Sequence, residues 1–224
     1  MSTTQYSGME PGIILPYVPS NIGGDVFAVE IPSLPYGARP IIDERDNDCV
    51  GFVQESTSKV WRIFDLSGEL LRIEEAPLEA PTIDPYDLIL VAPAALKFVR
   101  AGFAPMVRIA TGQASDFATT KITSDVLSML RSRVRGLSVR RLQFTNKTAN
   151  HMANPGRFVP VHILHLAIKY GRRVPDPQKI PGVFRYEIRM TRFVRRGDGY
   201  ARVPKTLEVV VREADWTILH FMYY

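Results

Sequence analysis

The fold of this chain is decided by its last third, which runs from Phe144 to Tyr224. It opens on Phe144-Thr145-Asn146-Lys147-Thr148-Ala149-Asn150-His151 and closes on Trp216-Thr217-Ile218-Leu219-His220-Phe221-Met222-Tyr223-Tyr224. All four histidines of the 224 residues lie inside this stretch, at positions 151, 162, 165 and 220. We therefore interpret the rest of the chain as a carrier for this segment.

Local patterns in this stretch predict two helices and three strands. Asn146 is a candidate cap for a short helix, and Pro160 starts a second helix, Val161 to Tyr170, which Gly171 ends. Three antiparallel strands follow, the first with period two from Phe184. Together with a strand near Phe144, this order predicts an α+β fold, a small C-terminal domain of helices packed on an antiparallel sheet.

Working outward from this domain, the sequence predicts four regions. Residues 1–23 are rich in Pro, Gly and Ser and predict a flexible N-terminal arm. Residues 24–82 predict an acidic, β-rich leader region, and residues 83–136 a helical linker. The linker holds an Ala- and Leu-rich helix that ends near Phe103 and a second helix from Ile122 to Val134. Residues 137–224 then form the basic α+β domain.

Charge separates the two halves of the chain. Residues 1–110 hold 8 Lys and Arg against 15 Asp and Glu, a balance of −7. Residues 111–224 hold 20 basic and 8 acidic residues, a balance of +12. A basic half of this kind suits a polyanionic partner such as nucleic acid.

Several functional classes have no support in the sequence. The single Cys49 excludes an intramolecular disulfide and a zinc site built on several cysteines, and it is expected to be buried. The longest uncharged apolar run, Leu88 to Leu96, falls well short of the ~20 residues of a membrane span. Met1 to Gln5 lacks the pattern of a cleaved signal peptide. The sequence contains no P-loop, dinucleotide fingerprint or serine-hydrolase elbow, and we predict no cofactor.

The pattern Lys147-Thr148-x-x-His151, the Pro175-Asp176-Pro177 turn and the segment Ile218-Leu219-His220-Phe221-x-Tyr223 resemble C-terminal toxin domains of bacterial polymorphic toxins. The resemblance is to the barnase–EndoU–colicin–RelE-like ribonuclease group and covers roughly residues 144–224. It implies an antibacterial effector that cleaves tRNA or rRNA without a metal and that a cognate immunity protein neutralises. It also implies a protein secreted or delivered from its producing cell by a dedicated machinery and acting in the cytoplasm of the target cell.

The residues themselves are compatible with this chemistry. Cleaving RNA without a metal needs a base for the 2′-OH proton, an acid for the 5′-oxygen and cations for the phosphorus charge. The predicted catalytic residues are His151, His220, Tyr223 and Lys147. The predicted RNA-binding residues are Thr148, Arg157, Arg185 and Arg189. Which histidine is the acid and which the base stays open.

His162 and His165 lie three residues apart on the second helix. A zinc pair more often spans four residues and needs a third ligand, and no acidic residue is near in sequence. We predict no metal site here and interpret this pair as a solvated helix face.

The alternative function is a non-catalytic nucleic-acid-binding or phage-structural protein that uses the same basic surface. A third hypothesis is a deaminase or another toxin chemistry, of which the deaminase is disfavoured because the paired cysteines of the zinc signature are absent.

Overall fold

The structure is a computed structural model, and it describes residues 5–15, 24–56, 59–76, 105–110, 117–138, 142–197 and 199–224. The described strands are β1 (Val26–Val29), β2 (Arg39–Asp43), β3 (Asp48–Glu55), β4 (Val60–Phe64), β5 (Leu70–Glu75), β6 (Met106–Ala110), β7 (Phe117–Lys121), β8 (Gln143–Phe144), β9 (Arg172–Pro175), β10 (Val183–Arg196), β11 (Gly199–Arg212) and β12 (Thr217–Tyr223). The described helices are α1 (Ser124–Ser138), α2 (Asn146–Met152) and α3 (Val161–Tyr170).

These strands form two curled sheets. Sheet A has the order β1-β10-β11-β12-β8, with β9 beside β10, and sheet B has the order β5-β4-β3-β2-β6-β7. The hairpin β10–β11 is the centre of sheet A, because its two strands have 14 residues each. One edge of β10 is long enough for two partners, so β1 pairs with residues 190–193 and β9 pairs with residues 184–187.

The predicted fold class is therefore wrong. Of the residues that the structure describes, 45% are strand and 19% are helical, and the molecule is not a small C-terminal domain of helices on a sheet. Strand β1, from the predicted leader region, is hydrogen-bonded into the sheet that holds the histidines. The predicted helical linker contains the hairpin β6–β7, whereas its proposed helix ending near Phe103 lies outside the described residues.

The reason lies in the strands that were not predicted. The period-two pattern predicts a strand from Phe184 only as far as Met190, and it does not extend into the following charged segment, Thr191-Arg192-Phe193-Val194-Arg195-Arg196. In the structure this segment continues the strand and supplies the edge that binds β1. Burial on one face is enough to hold a strand whose other face is charged.

A continuous buried core joins the two sheets. It contains Val26 from β1, Ile41 from β2, Leu130 from α1, Leu164 from α3 and Leu207 from β11. Helix α3 contacts α1 on one side and strands β1, β10 and β11 on the other. It starts after Pro160 as predicted and ends at Gly171, where a Cβ would lie 2.3 Å from the carbonyl oxygen of Ala167. A side chain at this position would therefore clash with the helix that it ends.

Residues 5–15, here called the N-terminal strap, lie along sheet A. Tyr6 packs with Val183, Val210 and Leu219 in a small second core on the face of the sheet opposite α3. The Tyr6 hydroxyl donates a hydrogen bond to the buried carboxylate of Asp176. The sequence predicted a flexible arm over residues 1–23. The part of this arm that the structure describes is the strap, and these contacts fix it to sheet A.

Backbone contacts extend the attachment of the strap. Ile13 and Phe144 exchange two backbone hydrogen bonds, each with a nitrogen–oxygen distance of 2.8 Å. Arg212 donates through Nη1 to the carbonyl oxygens of Gly8 at 2.6 Å and Glu10 at 2.9 Å. The strap thus closes sheet A beyond its edge strand β8.

Candidate functional site

Helix α2 is held against β12 by two threonines. Thr145 is the N-cap of the helix, and its hydroxyl accepts a hydrogen bond from the Thr148 backbone nitrogen at 3.2 Å. The Thr148 hydroxyl donates to the carbonyl oxygen of Ile218 in β12 at 3.0 Å and is fully buried. The predicted cap, Asn146, is one residue too late, because it already lies inside the helix.

Strand β12 brings its histidine to the same place through a bulge. Val210 of β11 pairs with His220, but Val211 pairs with Ile218, so Leu219 is an extra residue in β12. A bulge of this kind turns the following side chains relative to a regular ladder. It leaves Ile218 and Phe221 in the main core and Leu219 in the second core.

The two elements place His151 and His220 next to each other. Their ring centroids are 6.4 Å apart, and the ring planes make an angle of 77°. The ring of Phe221 is 5.7 Å from that of His151, in an edge-on arrangement. His151 is 9% exposed and His220 is 7% exposed, so the pair lies at the rim of the core and not in open solvent.

Hydrogen bonds define which ring atoms are free. Arg157 is always a donor, so its Nη1, 3.0 Å from Nε2 of His151, donates to that nitrogen. The neutral His151 ring therefore carries its proton on Nδ1. The Nδ1 atoms of both His151 and His220 are buried and have no hydrogen-bond partner among the described residues. Buried polar atoms normally have partners, so these two nitrogens in adjacent rings are each able to form a further hydrogen bond.

The surroundings disfavour a positive charge on either ring. Burial, followed by Arg157 and Lys147, lowers the pKa of His151 below its ordinary value. Burial is also the main cause that lowers the pKa of His220 to about 4, with further contributions from His151, Lys147 and Arg157. At neutral pH the site therefore combines two neutral imidazoles with two fixed cations.

Lys147 lies in the first turn of α2, on the exposed side of the histidine pair. Its Nζ is 3.5 Å from the backbone carbonyl oxygen of Gln5 in the strap. The strap therefore passes beside the site, and Lys147 is oriented between the strap and the histidines.

Thr148, predicted to bind RNA, joins α2 to β12 in the structure. Its side chain has no exposed surface, and its hydroxyl is used by the contact between α2 and β12. This residue fixes the distance between the two histidines, since it joins the helix of one to the strand of the other.

Tyr223, predicted to be catalytic, is engaged in a second contact. Its hydroxyl donates to the carbonyl oxygen of Gly156 at 3.0 Å, in the loop that carries Arg157. Its ring packs against Phe27 of β1, and the guanidinium of Arg192 lies 5.0 Å from the ring centroid. Burial raises the pKa of the Tyr223 phenol. Its contacts position the Arg157 loop.

The remaining predicted residues, Arg185 and Arg189, lie on β10, two strands away from His220. Arg185 forms ion pairs with Glu187 at 3.1 Å and Glu208 at 3.4 Å, so its charge is neutralised locally. Arg189 is exposed, and its side chain makes no hydrogen bond or ion pair with the described part of the chain, whereas its backbone carbonyl oxygen accepts a hydrogen bond from the Glu30 nitrogen at 2.9 Å.

The interpretation of His162 and His165 as a solvated helix face is wrong for His162. Its side chain is 2% exposed, and burial lowers its pKa to about 4. It faces the core because α3 packs between α1 and sheet A, so that most of its circumference is covered. His165 is half-buried.

Sequence reasoning missed the residues that support the site. The Arg192 guanidinium, which lies over Tyr223, is fixed by Asp25 through Nε at 2.7 Å and Nη2 at 2.5 Å. Asp176, expected to be only a rigid turn, accepts hydrogen bonds from Tyr6 and from the backbone nitrogen of Ile180. No local pattern marks these partners, because they are 167 and 170 residues apart in the chain.

The described residues contain no group of three or more His, Cys, Asp or Glu side chains arranged to hold a metal ion. Among the same residues, no helix has the length and apolar character that crossing a membrane would require. Comparison with protein-family models, curated proteins and solved structures gives no match for this chain.

Proposed function

We propose that this chain is a metal-independent endoribonuclease in which His151 and His220 are the acid–base pair. The observation that carries the proposal is the meeting of two buried imidazoles, 6.4 Å apart, with Arg157 and Lys147 beside them. The two rings come from different elements, and both present an unpartnered buried nitrogen. Such an arrangement can hold a phosphodiester between two proton-transfer groups and two cations.

The chemistry assigns the substrate class. A pair of proton-transfer groups cleaves a phosphodiester when the substrate supplies its own nucleophile, and RNA supplies the 2′-OH. One histidine removes the proton from the 2′-OH, the 2′-oxygen forms a bond to phosphorus, and the bond from phosphorus to the 5′-oxygen breaks. The other histidine gives its proton to the departing 5′-oxygen. The products are a 2′,3′-cyclic phosphate and a free 5′-hydroxyl.

The two cations have separate effects on this reaction. In the free protein burial, and after it Arg157 and Lys147, lower the pKa of both rings and so keep them neutral. A bound phosphate brings negative charge, which raises the pKa of both imidazoles and allows one of them to hold the proton that the acid needs. Arg157 and Lys147 also stabilise the charge that develops on the phosphoryl oxygens.

The biological setting is part of the same proposal and is supported by the resemblance of residues 144–224 to polymorphic toxin domains. The enzyme would be an antibacterial effector, secreted or delivered by a dedicated machinery, that cleaves tRNA or rRNA in the cytoplasm of a target cell. A cognate immunity protein would neutralise it.

The alternative is a non-catalytic nucleic-acid-binding or phage-structural protein. The burial of both histidines favours it, because a buried neutral imidazole is also an ordinary core residue. Under this alternative the basic residues would bind a polyanion without cleaving it.

The test is cleavage of tRNA and rRNA by the purified full chain in the presence of EDTA. We expect fragments that end in a 2′,3′-cyclic phosphate, and we expect a 2′-deoxy nucleotide at the cleaved position to block the reaction. His151→Ala and His220→Ala should each reduce the rate by about 100-fold or more. His165→Gln, on α3, is the matched control and should cleave like the wild type.

Failure of the wild type to cleave any RNA would contradict the ribonuclease, and so would full activity of both alanine variants. Expression of the full chain in a bacterium tests the toxin setting. Growth arrest that His220→Ala abolishes is expected, and unaffected growth would overturn that part of the proposal.

A further inference from the structure

A row of side chains leads away from the histidine pair along β12. Beyond the bulge the pairing is regular, with His220 opposite Val210 and Met222 opposite Glu208. Alternate residues of a strand point to the same face, so His220, Met222 and Tyr224 form one row. This is the face opposite α3, on which the N-terminal strap covers Val210 and Leu219 but not the end of the row.

The end of this row is apolar, rigid and exposed. The Tyr224 backbone exchanges two hydrogen bonds with Thr206, at 2.9 and 3.1 Å, so its position is fixed by the sheet. Nevertheless, Tyr224 is 57% exposed and Met222 is 43% exposed. Their neighbours Leu219 and Phe221 are buried, which makes the two exposed side chains distinct from the rest of β12.

Arg189 lies on the same face, opposite Thr206 and two strands away from Tyr224. Thr206 pairs with Tyr224 on one side and with Arg189 on the other, so the three side chains point to one face. Neighbouring strands are about 4.8 Å apart, which puts the backbones of Arg189 and Tyr224 about 10 Å from each other. A nucleotide and an extended arginine side chain can bridge this gap.

Both signs of charge occur on this face. Of its carboxylates, Glu187 and Glu208 are paired with Arg185, Asp176 is buried and accepts a hydrogen bond from Tyr6, and Glu30 lies opposite Arg189. Arg189 has no such partner in the described residues, and Lys147 and Arg157 lie at the other end of the row. The cations that remain are therefore arranged along one path from the histidines to Tyr224.

We propose that Tyr224, with Met222 and Arg189, is a binding platform for single-stranded RNA, on which one base stacks while its phosphate contacts Arg189. This inference rests on the proposed function and assigns its substrate class. Bases inside a duplex are stacked on each other and unavailable, whereas a single strand can present a base to an aromatic ring. His220 and Tyr224 are four residues apart, about 13 Å along the strand, so the stacked base belongs to a neighbour of the cleaved nucleotide.

Equilibrium binding to the full chain carrying His151→Ala, which should slow cleavage by about 100-fold or more, tests the platform. The probe is a single-stranded RNA with 2-aminopurine, whose fluorescence is quenched when the base stacks. We expect Tyr224→Ala to weaken binding about tenfold and to remove the quenching, and Tyr224→Trp to retain both. Arg189→Ala should weaken binding and reduce the slope of log K against log salt by about 1.

Matched controls come from the same chain. Tyr36 is a fully exposed tyrosine before β2, and Arg196 is an exposed arginine on the same strand as Arg189. Neither Tyr36→Ala nor Arg196→Ala should change the quenching. An unchanged affinity of Tyr224→Ala would overturn the platform. Equal affinity for a duplex of the same sequence would overturn the single-strand assignment.

The two proposals fail in different ways. If the wild type cleaves RNA and Tyr224→Ala binds and cleaves equally well, the platform is wrong and the ribonuclease stands. If the wild type does not cleave but its RNA binding depends on Tyr224, the ribonuclease is wrong and the platform belongs to a non-catalytic binding protein. If the wild type does not bind RNA, both are wrong.

Discussion

The His151 ring meets the His220 ring at an angle of 77°, with 6.4 Å between the centroids, although the two residues are separated by a helix, three strands and their loops. Burial and nearby positive charges lower the pKa of both rings, so both are neutral at pH 7. The contribution of each charge can be measured by removing it and titrating the histidines.

Titration of His220 by NMR should give a midpoint of about 4. Lys147→Met should raise this midpoint, because a positive charge near the ring disfavours its protonation. The control Lys169→Met, on α3, should leave it unchanged. A midpoint near 6.5 in the wild type would show that the ring is solvated and would contradict the burial described above.

His162 should make the protein less stable in acid. Its pKa is about 4 when folded and about 6.5 when unfolded, so between these values the unfolded chain binds a proton that the folded chain does not. The free energy of unfolding therefore falls as the pH falls from 6.5 to 4, by an amount of the order of 3 kcal/mol.

Urea denaturation at several pH values measures this effect. His220 contributes in the same window, and His162→Phe should flatten the pH dependence without removing it. An identical pH dependence in wild type and variant would show that His162 is not the titrating group.

Thr148→Val should destabilise the fold by about 1–2 kcal/mol, because it removes the buried hydroxyl that bonds to Ile218. Thr123→Val is the control, since the Thr123 hydroxyl bonds to Glu74 on the surface and its loss should have a smaller effect. Chemical denaturation compares the two. If the Thr148 variant keeps full stability but loses RNA affinity, the original assignment to RNA binding is right.

Tyr223→Phe should reduce RNA cleavage by less than about tenfold, whereas loss of a proton-transfer residue reduces it by about 100-fold or more. The variant keeps the packing against Phe27 and Arg192 and loses only the hydrogen bond to Gly156. Loosening of the Arg157 loop should also raise the pKa of His151, which NMR would detect. A loss as large as that of His220→Ala, with the pKa of His151 unchanged, would make Tyr223 catalytic.

Gly12→Ala should detach part of the N-terminal strap. A Cβ at this position would lie 2.7 Å from the Cβ of Gln143, which cannot rotate away, and 2.6 Å from Oγ1 of Thr217, so the backbone has to move. We expect faster limited proteolysis within residues 5–15 and a loss of about 1–3 kcal/mol. Gly136→Ala, where a Cβ meets nothing within 4 Å, should not have this effect.

Local signals predicted the elements around the site better than the architecture. Helix α3 begins after Pro160 and ends at Gly171 as predicted, because both residues act through their own backbone. In contrast, the partnership of β1 with β10 depends on residues 161 to 167 positions apart, and no local pattern encodes such a pairing.

In the candidate site, too, some features follow from the local sequence and others from contacts between distant residues. The sequence by itself determined that the histidines, the cations and their strands and helices lie in the last third of the chain, because residue type and period are local properties. Only the tertiary structure decided that His151 meets His220, that His162 is buried, and that Tyr223 and Thr148 hold the site together. The physical reason is that a bulge in β12 and the packing of α2 on it set the side-chain directions, and both depend on contacts between distant parts of the chain.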